Sequence, residues 1–95
     1  MFPGTTSKIS ESVVASAATI QAKSDLVRVT GSTQVNTIVP AFGGFSGVIW
    51  LVPTDGTLVL GTSGNILIGI TAAQNRAVCL VFSKLAAKWH IDNGV

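Results

Sequence analysis

The chain has 95 residues, enough for one small domain. It is 47% hydrophobic with mean hydropathy +0.58 and only 11% charged, against roughly 25% charged in ordinary soluble domains. Six basic and four acidic side chains cannot cover the outside of a lone globule, so part of the apolar surface is expected to be covered by other chains. The net charge of +2 comes from scattered positions rather than a basic run with interleaved aromatics, which argues against a nucleic-acid partner. No apolar run approaches the ~18 residues of a membrane helix, and the start lacks the basic-then-apolar pattern of a secretory signal. The reading is therefore of a protein assembled in a cytoplasm, with no membrane partner.

Residues 1–12 are rich in Ser and Thr, with Pro3 and Gly4 near the start, and read either as a disordered tail or as an extended N-terminal arm that orders on a neighbouring subunit. Residues 13–95 read as a single β domain. Residues 13–22 read as strand or helix: Ala content and Val13, Ala17 and Ile20 near one helical face favour helix, while the β-branched residues, the missing capping box and the β pattern after Ser24 favour a strand, the assignment adopted. Short strands and turn signals then alternate. Leu26–Thr30 ends at Gly31-Ser32, and Val35–Val39 ends at Pro40. A Gly-rich loop, Ala41-Phe42-Gly43-Gly44-Phe45-Ser46-Gly47, leads into Val48–Val52. Pro53-Thr54-Asp55-Gly56 reads as a hairpin turn, because glycine accepts the positive φ such a turn requires. Thr57–Leu60, Ile66–Ile70, Ala77–Phe82 and Lys88–Ile91 complete the set. Strands recurring about every ten residues predict an all-β antiparallel sandwich or barrel-like domain. Strands 48–52 and 77–82 are apolar on consecutive positions, which predicts burial on both faces and hence a covering subunit.

Catalytic chemistry finds little support. The carboxylates Glu11, Asp25, Asp55 and Asp92 are dispersed over the arm, strand ends, turns and terminus. One histidine, His90, and one cysteine, Cys79, do not make a zinc site. Gly44-Phe45-Ser46-Gly47 departs from a nucleophile elbow because Val48 stands at the final glycine position. Gly43-Gly44 lacks the following Gly-Lys-Ser/Thr of a phosphate cradle. No enzyme activity, metal or cofactor is expected. Cys79, within an apolar strand, reads as a small buried hydrophobe. Trp50 reads as core, Trp89 as core or interface, and Phe42 and Phe45 as contacts with another protein. His90 alternates with Trp89 and Ile91 and is expected on the opposite face, at the surface or an interface.

From about Ala15 to Asp92 the chain resembles a small β module of bacteriophage virion proteins. The matching features are Val27-Arg28-Val29-Thr30-Gly31-Ser32-Thr33-Gln34-Val35-Asn36-Thr37-Ile38, then Gly64-Asn65-Ile66, the apolar strand ending at Phe82, and Lys88-Trp89-His90-Ile91. Related modules commonly read Val-Thr-Gly-x-Thr-x-Ile-x-x-Ile at the start and end on an aromatic pair beginning with Trp. Here His90 stands where the second aromatic is usual. The resemblance implies a homotrimer and a place in the virion, as a capsid decoration protein binding the major capsid protein, or else as a head-fibre, tail-fibre or spike component contacting the host surface. The little length outside the module favours decoration over a fibre. Phe2, Pro3, Lys8, Phe42, Phe45, Trp50, Trp89 and His90 are the candidate subunit or capsid contacts. A free-standing ligand-binding domain or small hydrolase would instead be a monomer with a concave pocket.

Overall fold

The computed structural model describes residues 10–41 and 46–92. All of its regular structure is β. The strands are β1 (Glu11–Ala15), β2 (Thr19–Gln21), β3 (Leu26–Thr30), β4 (Thr37–Val39), β5 (Gly47–Pro53), β6 (Leu58–Leu60), β7 (Ile70–Ala72), β8 (Val78–Ser83) and β9 (Lys88–Asp92). One five-stranded sheet runs β1-β3-β5-β8-β9, and two small ladders pair β2 with β4 and β6 with β7.

The sheets are mixed rather than antiparallel. β1, β3 and β5 are parallel to one another, as are β2 and β4. Parallel neighbours need a crossover long enough to carry the chain back to its starting end. Residues 16–25 provide it between β1 and β3, and the short strand β2 forms its middle. The first half of the chain thus winds, laying β1, β3 and β5 side by side in one sheet and β2 beside β4 in the other. Only the second half uses hairpin grammar, in β6–β7 and β8–β9. Among the described residues no sheet closes on itself.

The expected strand over 13–22 is two strands, β1 and β2, and β1 takes Glu11 and Ser12 from the expected arm. The Asp55-Gly56 turn makes no hairpin. β5 lies between β3 and β8 while β6 pairs with β7, so the turn carries the chain from one sheet to the other. The Asp55 carboxylate accepts a 2.6 Å hydrogen bond from the Gly31 amide and fixes this corner to the end of β3. The strand expected at 66–70 reduces to an isolated bridge at Ile66 followed by β7.

One core fills the space between the inner face of the large sheet and the two ladders. Val27, Val29, Ile49, Leu51, Val78, Leu80 and Trp89 come from the sheet, and Ile20, Ile38, Leu58, Leu60 and Ala72 from the ladders. The alternating burial of β3, with Val27 and Val29 buried and Arg28 exposed, follows from the two-residue period of a strand packed on one face.

Asn65 ties this core together. Its side-chain amide accepts from the Ile38 amide (2.9 Å) and donates to the Ile38 carbonyl (2.8 Å), as a neighbouring strand would. Its own carbonyl accepts from the Trp89 amide at 2.8 Å, and the Trp89 indole Nε1 donates to the Ile38 carbonyl at 2.9 Å. The backbones approach closely here. A side chain at Gly64 would collide with the Asn36 carbonyl. Asn65→Ala removes both bonds to Ile38 and leaves its buried amide without an acceptor. We expect a loss of about 2–3 kcal/mol, read from the urea midpoint at unchanged m-value.

Gly31 closes β3 at φ +78°, a left-handed conformation, with the Ser16 hydroxyl 2.8 Å from where a Cβ would sit. That hydroxyl is already held by the Thr33 amide at 2.9 Å. Gly31→Ala should therefore cost about 1–2 kcal/mol. In a domain of this size that lowers Tm by roughly 4–16 °C, measurable by thermal circular dichroism.

Candidate functional site

The face of the five-stranded sheet turned away from the core carries a broad apolar surface. The parity that buries Val27, Val29, Ile49, Leu51, Val78 and Leu80 turns Leu26, Val48, Trp50, Cys79 and Val81 outward. Trp50 lies on the central strand, in register with Leu26 on one side and Cys79 on the other. Val48 lies opposite Val81, which in turn lies opposite His90. Val13 is 68% exposed, Val48 45%, Trp50 40% and Val81 36%. A central aromatic ringed by aliphatic side chains is the composition of an interface core.

Polar groups border this surface. Arg28 donates to Glu11 at 3.2 Å in an exposed pair, worth at most about 1 kcal/mol. His90 is exposed on β9, on the face opposite Trp89 as its alternation with that residue predicts. The Lys88 ammonium donates to the Gly64 carbonyl at 3.2 Å.

Asp25 and Asp55 serve the scaffold. Asp25 accepts from the Ser10 amide and hydroxyl at 3.4 and 3.2 Å, and the Asp25 amide donates back to the Ser10 hydroxyl at 3.0 Å. Asp55 holds Gly31. The Ser46 hydroxyl donates to the Phe82 carbonyl at 3.3 Å. Among the described residues no group of three or more His, Cys, Asp or Glu side chains could hold a metal ion, and no helix is long and apolar enough to cross a membrane.

Trp50 departs from its sequence reading, whereas Trp89 takes the core position of the two read for it. Trp50, expected in the core, is on the outward face. On the outward parity of β5, Val48 and Trp50 are exposed while Val52 is buried, and among the described residues no strand covers the exposed pair. Trp89 is fully buried, with its ring centroid 4.8 Å from that of Phe82 at an angle of 53°, so its side chain serves the core of its own chain. Cys79 is half-buried beside Trp50 rather than buried. Phe2, Pro3, Lys8, Phe42 and Phe45 lie outside the described residues. Sequence reasoning missed Val13, Val48 and Val81 as surface residues, and also Leu67, Ile68 and Leu85, which are exposed on loops. The signal for the first three was strand parity, which is usable only once the register of the whole sheet is known.

No protein-family model, curated protein or solved structure matches the chain.

Proposed function

We propose that the chain is a structural subunit of a bacteriophage particle, a sandwich-like homotrimeric decoration protein that binds and stabilises the assembled capsid. The observation that carries the oligomeric part of this reading is the outward apolar face centred on Trp50, in a chain with too little charge to leave such a face in water. The virion part rests on the resemblance of the segment from about Ala15 to Asp92 to phage β modules.

On this reading the outward faces of three copies turn toward one another and exclude water. The N-terminal arm and the loop bearing Phe42 and Phe45 reach the major capsid protein. Binding only the assembled lattice stabilises that state by mass action. Three arms on one trimer act together, so weak individual contacts give a durable attachment.

The test is co-sedimentation with assembled capsid shells, before and after lattice expansion, using the full chain and a chain lacking residues 1–9. The full chain should pellet with expanded shells and stay in the supernatant with unexpanded ones. The shortened chain should bind more weakly. Absence of the full chain from both pellets would contradict the decoration reading.

A further inference from the structure

The two edges of the five-stranded sheet are treated differently. At the β9 edge the chain covers itself, since the Trp89 amide donates to the Asn65 carbonyl at 2.8 Å and the Leu67 amide donates to the Trp89 carbonyl at 3.1 Å. At the β1 edge no described strand lies alongside.

The ladder between β1 and β3 fixes which backbone groups face outward there. The Leu26 amide donates to the Ser10 carbonyl, and the Ser16 amide donates to the Thr30 carbonyl. Residues 10, 12, 14 and 16 therefore turn their backbone groups toward β3, and Glu11, Val13 and Ala15 turn theirs to the open edge. The register runs unbroken from Glu11 to Ala15, with no bulge, proline or lysine, the usual devices that keep an exposed edge from pairing. The single charge, Glu11, is neutralised by Arg28 at 3.2 Å.

We infer that β1 pairs antiparallel with β1 of a second copy about a two-fold axis at Val13, joining two five-stranded sheets into one. The edge is self-complementary in this register. Val13 meets Val13, and each Glu11 meets the other copy's Ala15, so no like charges oppose. The three residue pairs use every outward backbone donor and acceptor of β1. Centring the axis on Glu11 would set two carboxylates against each other, and centring it on Ser12 or Val14 leaves one edge residue unmatched. Val13, the most exposed large apolar side chain among the described strands, gains a partner. One isologous contact satisfies both copies, which a peptide of unrelated sequence would not do. This contact is made by the backbone at the β1 edge, whereas Trp50 lies on the central strand of the outward face, two strands away.

The first test is Val13→Pro. The ring removes only the outward amide and leaves the β1–β3 ladder intact. The particle mass from light scattering should halve at unchanged far-UV circular dichroism. The second test fixes the register in a Cys79→Ser background. An H-bonded antiparallel pair sets its Cα and Cβ atoms about 5.5 Å apart, just beyond direct disulfide reach, so V13C should link into a covalent dimer through a short thiol-bridging reagent. E11C, whose two copies would lie about 14 Å apart, should not. That cross-link should survive Trp50→Asp, which separates this contact from the outward-face assembly. An unchanged mass for Val13→Pro, as when the chain's own residues 1–9 fill the edge, or failure of V13C to cross-link, would overturn the pairing.

Discussion

Trp89→Ala is expected to destabilise the chain by about 3–5 kcal/mol, the range for emptying a buried aromatic site. Small domains have about 5–15 kcal/mol in total, so the variant should lose a large part of its stability. Three losses combine at this position. The side chain is fully buried, so its removal leaves a cavity under β8 and β9. Its ring packs on Phe82 at 4.8 Å. Its indole N–H is one of two donors to the Ile38 carbonyl. Trp89→Phe separates these terms. It keeps most of the apolar volume, and the Ile38 carbonyl retains the Asn65 amide as donor, so about 1–2 kcal/mol should be lost. Urea unfolding of the three proteins measures both values. An alanine variant within 1 kcal/mol of the parent would contradict the placement of Trp89 at the centre of the core.

Trp50→Asp should have the opposite signature, with the fold kept and the assembly lost. The ring projects from the outward face at 40% exposure, and β5 is anchored from its other face by Ile49 and Leu51. A central aromatic anchor typically contributes about 2 kcal/mol or more to an interface, roughly thirty-fold in dissociation constant, and a carboxylate placed there adds a desolvation penalty. Far-UV circular dichroism should match the parent while the native mass falls. A variant that unfolds would instead place Trp50 in the core of its own chain.

These two residues mark where the sequence was legible and where it was not. Around Trp89 the pattern Trp-His-Ile alternates, and the exposed His90 between the two inward residues, buried Trp89 and half-buried Ile91, follows directly from it. Around Trp50 every neighbour is apolar, so no alternation distinguishes inside from outside. Parity there is set by pairing with β3 and β8, which are distant in sequence. The strands Leu26–Thr30, 48–52, 77–82 and 88–91 were readable from their β-branched runs and bounding turns, to within a residue or so. The parallel winding of β1 through β5 was not. Its corners at residues 16–18 and 22–25 carry no glycine or proline, and Asp55-Gly56 resembles a hairpin turn while acting as a corner between sheets. Asn65 was legible only as a loop residue. Its use as a surrogate strand for Ile38 depends on bringing together positions 27 residues apart.

The most direct test of the central claim, an obligate homo-oligomer built on the outward apolar face, is the native mass of the purified chain across a dilution series. The expected mass is that of three 9.7 kDa chains, six with the β1 edges paired, persisting on dilution and falling in Trp50→Asp. A parent chain that is a stable monomer at all concentrations would contradict it.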